Sequence, residues 1–107
     1  MTLRLAFCAG LLLTTACRPA SPAPRRYVVE IRQMAFVPAV LTVGPGDTVV
    51  WINRDLFPHT ATATGGSPWD TGPIAAGDSS QVVVPRGGGS PYACALHSTM
   101  QGQVIVR

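Results

Sequence analysis

Apolar residues recur with a period of two along most of the chain after its first quarter. In YVVEIRQ, Tyr27, Val29 and Ile31 fall on one face of an extended segment, and β-branched residues are frequent. A period of two is typical of a β-strand with one buried face. Similar short segments follow: PAVLTV, DTVVWIN, HTATAT, SQVVV, the residues up to Ala93, and GQVIV. The sequence therefore predicts about seven short strands.

Glycine and proline separate several of these segments. GPG at residues 44–46, GGSP and RGGGSP are all typical of chain reversals. No segment combines the longer apolar spacing of a helix with helix caps. Short strands with close turns predict an all-β fold, a two-sheet β-sandwich of about seven or eight strands.

The N-terminal region has a different character. Residues 1–16 combine an early arginine with an apolar run that is too short to span a bilayer, which indicates a secretory signal peptide. Cys17 follows LLLTTA, a context similar to that of bacterial lipoproteins, and we expect Cys17 to be lipidated. Residues 17–26 are rich in proline, alanine and arginine and predict an extended tether. Residues 27–107 form the predicted domain, and the expected location is periplasmic or extracytoplasmic.

Charge and cysteine content narrow the functional classes. Half of the eight arginines precede Tyr27, and the remaining four face five acidic residues, so the predicted domain is nearly neutral. This balance gives no support for a nucleic-acid surface. Cys8 would be removed with the signal peptide, and Cys17 would be lipidated or removed. Cys94 then remains alone, without a partner for an intramolecular disulfide.

Three potential metal ligands lie between the last two predicted strands. Cys94, His97 and Met100 are spaced at three-residue intervals, which is equally compatible with ordinary core residues. The turn between the strands favours convergence of the three side chains on one centre. A thiolate, an imidazole and a thioether suit copper, whereas a thioether is a poor ligand for a structural zinc ion. His59 is the one other histidine available.

Two separated motifs carry a family resemblance over residues 27–107. The first is MAFVPAVLTVGPGDTVVWINRDLFPHT, which ends at His59 and Thr60, and the second is YACALHSTMQG, followed by VIV. In order and content they resemble the cupredoxins, the type 1 blue-copper family. The resemblance implies a Greek-key sandwich holding one copper ion, with His59, Cys94, His97 and Met100 as the ligands. It also implies that Thr60 stands where several members have an asparagine that links the two ligand loops.

The resemblance implies a function as well. Cupredoxins carry single electrons as copper alternates between Cu(I) and Cu(II), and they are not enzymes. His97 would be the electron-transfer port, with Leu96 and Pro58 beside it. Expected partners are redox proteins such as a c-type cytochrome or a dehydrogenase, and the membrane is contacted only through a lipid anchor at Cys17.

Two other functions are compatible with some of these residues. A periplasmic copper-binding protein for storage, delivery or resistance could use the same ligands, although the chain lacks extra Met or His clusters. A hydrolase built on Ser98 and His97 has no acidic residue nearby to orient the histidine. Trp51 and Asp70 are predicted to be structural, as a core residue and a turn residue, and the protein is expected to be a monomer.

Overall fold

The computed structural model describes residues 9–17 and 22–107, and eight β-strands lie in the second range. Half of the predicted signal peptide (residues 1–8) and part of the tether (residues 18–21) lie outside these residues. The strands are β1 (Arg26–Arg32), β2 (Ala35–Val37), β3 (Val40–Val43), β4 (Thr48–Asn53), β5 (Thr62–Ala63), β6 (Ser79–Val83), β7 (Ser90–Ala93) and β8 (Gln101–Val106). The part of the chain that is described contains no helix of the length and hydrophobicity that crossing a bilayer requires.

The strands form two four-stranded sheets. One has the order β2-β1-β4-β6 and the other the order β3-β8-β7-β5. Strands β1 and β4 are parallel, as are β3 and β8, and the remaining pairs are antiparallel. The predicted all-β sandwich is therefore confirmed.

The core lies between the sheets, and it follows the predicted alternation. Val29 and Ile31 in β1 are fully buried, whereas Val28, on the opposite face of the strand, is exposed. An aromatic cluster fills the centre, where the Trp51 ring stacks on Trp69 at a centroid distance of 5.5 Å and meets the Tyr92 ring edge-on at the same distance. Burial raises the pKa of the Tyr92 phenol to about 12. The prediction that Trp51 is a core residue is confirmed.

The observed turns match their prediction from the sequence more closely than the predicted strand HTATAT does. The GPG turn contains Gly46 at φ 84°, a conformation that glycine adopts without a Cβ clash. HTATAT forms only the two-residue strand β5, because His59 and Thr62 make isolated pairings with Ile74 and Asp70 instead of one continuous ladder. Asp70 accepts hydrogen bonds from the Thr62 hydroxyl and the Gly72 amide, which confirms its predicted role in a turn.

Candidate metal centre

The connection from β7 to β8 brings three of the predicted ligands onto one tight loop. The Cys94 amide donates to the Met100 carbonyl at 3.1 Å, and the Met100 amide donates to the His97 carbonyl at 3.0 Å. These two bonds fold residues 94–100 back on themselves at the edge of the sandwich. The side chains of Cys94 and Met100 are buried, and His97 is half-buried.

His59 reaches the same end of the molecule from the other sheet. It exchanges backbone hydrogen bonds with Ile74, at 3.1 Å and 2.7 Å, and its side chain is fully buried. Asn53, at the end of β4, stabilises this segment because its side-chain amide donates to the carbonyls of Phe57 and Ile74. The loop before His59 is therefore anchored at both ends.

The donor atoms of His59, Cys94 and His97 converge. Nδ1 of His59 lies 3.7 Å from the Cys94 sulfur, and Nδ1 of His97 lies 3.8 Å from it. All three donors lie within 4.8 Å of one another. A sulfur and a nitrogen bound to one ion at ordinary distances, with an angle near 120° between them, are separated by about 3.8 Å. The three residues thus fit a single metal ion, and one thiolate with two imidazoles is a donor set that copper accepts.

A hydrogen bond to Asp55 fixes the orientation of the His59 ring. Nε2 of His59 lies 2.8 Å from Oδ2 of Asp55. Because an ionised carboxylate can only accept, Nε2 carries the proton and the Nδ1 lone pair faces Cys94. Burial acts to raise the pKa of Asp55, but hydrogen bonds from the Met34 amide, the His59 ring and the Gln33 amide lower it below its ordinary value.

Thr60 links the two ligand loops. Its amide donates to the Cys94 sulfur at 3.3 Å, and its hydroxyl oxygen accepts from the Ala95 amide at 2.8 Å. The hydroxyl also contacts that of Thr62 at 2.8 Å, and Thr62 in turn donates to Asp70. Thr60 therefore connects the two ligand loops, although several cupredoxins are expected to have an asparagine at this position.

Exposed apolar side chains lie on the two loops that carry His97 and His59. Leu96 is 52% exposed, and Pro58 is exposed on the neighbouring loop. Leu56 and Phe57 are also exposed, by 88% and 58%, and neither was predicted from the sequence to be a surface residue of the site. The available signal was a pair of adjacent large apolar residues in the loop that leads to His59. Asp55 was missed as well, although it lies four residues before His59.

The sequence matches the family described as copper-binding proteins of the plastocyanin/azurin family over residues 25–107. Amicyanin from Paracoccus denitrificans is 32% identical over 83 residues, which cover 74% of this chain, and amicyanin from Paracoccus versutus is 30% identical over the same extent. The matched region spans 63% of the length of these two relatives.

Solved structures of amicyanin variants are similar to the fold. One variant in the Cu(I) state superposes with a TM-score of 0.70 at 28% identity, covering 77% of this chain and 82% of that one. An oxidised variant superposes with a TM-score of 0.71 at 29% identity, with the same coverage. The structural similarity and the family match thus extend over the whole sandwich.

Proposed function

Because the chain belongs to the plastocyanin/azurin family of copper-binding proteins, we propose that it carries single electrons between redox partners. The observation that supports this most directly is the convergence of one thiol and two imidazole nitrogens within 4.8 Å. Copper bound there would supply the Cu(I)/Cu(II) couple. A carrier of this kind is not an enzyme, in agreement with the prediction from sequence.

In this proposal His59, Cys94, His97 and Met100 hold the ion. His59 is buried and oriented by Asp55, while Cys94 accepts a hydrogen bond from the Thr60 amide. The buried Met100 closes the loop through its backbone. Ligands restrained in this way change position little when the charge at the site changes, and a small rearrangement favours fast electron exchange.

The exposed apolar side chains near His97 suit transient docking of a partner. Leu96, Pro58, Leu56 and Phe57 can shed water on contact without leaving a buried charge unpaired. Such contact would bring a partner's redox centre close to the His97 ring. A c-type cytochrome or a dehydrogenase is the kind of partner that we propose.

We also propose that the protein is exported to the periplasm with residues 1–16 as its signal and residues 17–26 as its tether. The composition of these residues supports export, and Cys17 is exposed and free in the structure. Lipidation of Cys17 would attach the domain to a membrane.

A visible spectrum of the purified protein after addition of Cu(II) tests the proposed site. We expect an intense Cu(II)–thiolate band that is lost in Cys94→Ser. A colourless protein, or a band that survives the substitution, would rule out the site. Reversible reduction and fast self-exchange separate a carrier from a protein for copper storage or delivery, which needs neither.

A further inference from the structure

Four exposed arginines gather at the end of the sandwich remote from the metal centre. They are Arg25, Arg26, Arg86 and Arg107. The topology explains this, because Arg26 pairs with Thr48 at the start of β4, and Thr48 also pairs with Val83 at the end of β6. β8 ends at the same end of the molecule as β3, where Val106 pairs with Val43. We call these four residues the arginine surface.

The acidic residue at this end of the described chain faces inward. Asp47 is buried, and its carboxylate accepts hydrogen bonds from the Arg25 amide at 2.8 Å and the Gly44 amide at 2.7 Å. The guanidinium of Arg107 lies 3.8 Å from the same carboxylate. The negative charge of Asp47 is thus stabilised mainly by hydrogen bonds from backbone amides. The arginine surface therefore keeps a strong positive charge.

The other acidic residues lie elsewhere on the domain. Asp55 contacts His59 at the metal centre, and Asp70 pairs with Thr62. The backbone carbonyl of Asp78 accepts a hydrogen bond from the Asn53 amide, which places Asp78 at the end of β4 near the metal centre, and Glu30 pairs with Arg32. Residues 25–107 carry six arginines and five acidic residues, so folding separates a nearly neutral domain into one cationic end and one end with an acidic excess.

A groove of about 540 Å³ opens on the arginine surface. Arg25, Arg86 and Arg107 line it together with the Gly44-Pro45 turn, and Pro22 and Ala23 form another side. Pro22 and Ala23 belong to the segment that leads from Cys17 into β1. The tether thus enters the domain beside three guanidinium groups, whose planar forks of N–H donors can each bind two oxygens of a phosphate group.

We propose that the arginine surface binds the phosphate groups of anionic phospholipids, so that the domain stands on a membrane with its metal centre facing away. The chain from Cys17 to Arg25 is eight peptide units, and even as extended polyproline it reaches only about 25 Å. An anchor at Cys17 would therefore hold the arginine surface close to the headgroups. The binding depends on the positions and charges of these arginines and is independent of copper and of the proposed electron transfer.

Co-sedimentation of the full chain with lipid vesicles tests this proposal. One vesicle contains phosphatidylcholine only, and the other contains phosphatidylglycerol and phosphatidylcholine in equal parts. Arg86→Gln and Arg107→Gln remove groove arginines, while Arg54→Gln makes the same charge change at an exposed site next to the end of β4. Each measurement is made with and without copper.

We expect each groove substitution to lower the partition coefficient on anionic vesicles about fivefold, the factor that corresponds to about 1 kcal/mol per arginine near a charged surface. The double variant should lose about 25-fold. Arg54→Gln should change it less than about twofold, and neither copper nor any of the substitutions should affect binding to pure phosphatidylcholine.

Equal losses in Arg54→Gln and Arg86→Gln would show that only net charge matters and would overturn the proposal. It would also be overturned if inorganic phosphate bound with the same arginine dependence while anionic vesicles did not bind, because the groove would then be a site for a free anion. Loss of the visible copper band with intact vesicle binding would instead count against the proposed function alone.

Discussion

Asp55 connects the metal centre to a strained turn. Its two carboxylate oxygens accept the amides of Gln33 and Met34, at 2.6 Å and 3.0 Å, and Oδ2 also accepts from His59. Gln33 and Met34 have φ values of 50° and 58°, in the left-handed region that side chains disfavour. One carboxylate thus stabilises the β1–β2 turn and sets the orientation of a ligand.

We expect Asp55→Asn to weaken Cu(I) binding about 10- to 100-fold, as is common when the partner of a metal-binding histidine is removed. An amide is a weaker acceptor than a carboxylate, and it cannot accept from Gln33, Met34 and His59 together. Competition titration against a Cu(I) chelator measures the effect. Asp78→Asn, at an exposed position, is the control, and equal affinities for the two variants would contradict the assigned role.

Thr60 offers a second test at the level of one side chain. Thr60→Val keeps the shape but leaves the Ala95 amide without its acceptor, at a cost of about 1–3 kcal/mol in the free energy of unfolding. Thr60→Ser retains the hydroxyl and should recover most of that loss. Urea unfolding of the copper-free protein gives both values, and a valine variant as stable as the original would show that the link is weak.

The sequence identified individual residues to different extents. His59, Cys94, His97 and Met100 could be selected because few residue types supply soft ligands, and the chain contains only two histidines. Asp55 could not be selected, since an aspartate in a polar loop is ordinary until the fold shows which donors surround it. The roles of the two histidines, Cys94 and Met100 as copper ligands remain a prediction, which the visible spectrum would test.

At the level of strands, β7 and β8 pack through a glycine. Gly102 pairs with Tyr92 across the sheet, and a Cβ at this position would overlap the Tyr92 ring. We expect Gly102→Ala to lower the free energy of unfolding by about 1–3 kcal/mol, the usual cost of overpacking a core. Thermal or urea unfolding measures it.

Gly66 provides the matched control for this substitution. A Cβ there would meet no atom within 4 Å, and its φ is not in the left-handed region. Gly66→Ala should therefore change stability by less than about 0.5 kcal/mol. Equal effects at both positions would mean that the Tyr92 ring moves aside freely.

The turn between β3 and β4 predicts a pH effect on stability. Hydrogen bonds from the backbone amides of Arg25 and Gly44 hold the pKa of Asp47 below its ordinary value. A lowered pKa contributes stability that is present above the unfolded value of about 3.9 and is lost as the pH falls through the folded value. Asp47→Asn should destabilise the copper-free protein at neutral pH, and the difference should disappear in strong acid.

Thermal unfolding across this pH range, with Asp78→Asn as the control, measures the prediction. A difference between the original protein and Asp47→Asn that stays constant into strong acid would show that charge on Asp47 is unimportant.

Strands and turns of this kind were largely predictable, because alternation and glycine placement are local. The short β5 was not, because His59 and Thr62 pair with Ile74 and Asp70 in the segment that follows β5, and alternation does not indicate such pairings.

At the level of the whole molecule, the apolar residues around His97 should control encounters between two copies. We expect Phe57→Glu to slow electron self-exchange at least about tenfold, because two glutamates would be brought together and desolvated at the contact. Nuclear magnetic resonance line broadening in mixtures of the oxidised and reduced protein measures the rate.

Val83→Glu is the matched control, since Val83 is 59% exposed and Phe57 is 58% exposed, and Val83 ends β6 at the far end of the sandwich. It should leave self-exchange nearly unchanged, and neither variant should alter the visible spectrum. A similar slowing in both would assign the effect to net charge rather than to the docking surface.

The charged residues are unevenly distributed in the folded domain, although its composition gives no sign of this. Counted along the chain, the domain is nearly neutral, and no segment of it holds a run of like charges. The sheet order brings Arg25 and Arg26 to the end where Arg86 and Arg107 also lie. Register and strand order create this polarity, and neither could be derived from periodicity.

The parallel pairing of β3 with β8 also has a consequence for how the protein forms. Val40 pairs with Gln103, so this part of the sheet joins segments that are far apart in sequence, and such contacts form late and slowly. The loop that carries Cys94, His97 and Met100 leads directly into β8. Until β8 docks, the thiol is unprotected and the donors are apart. Copper can therefore bind in its final arrangement only after β8 has docked against β3.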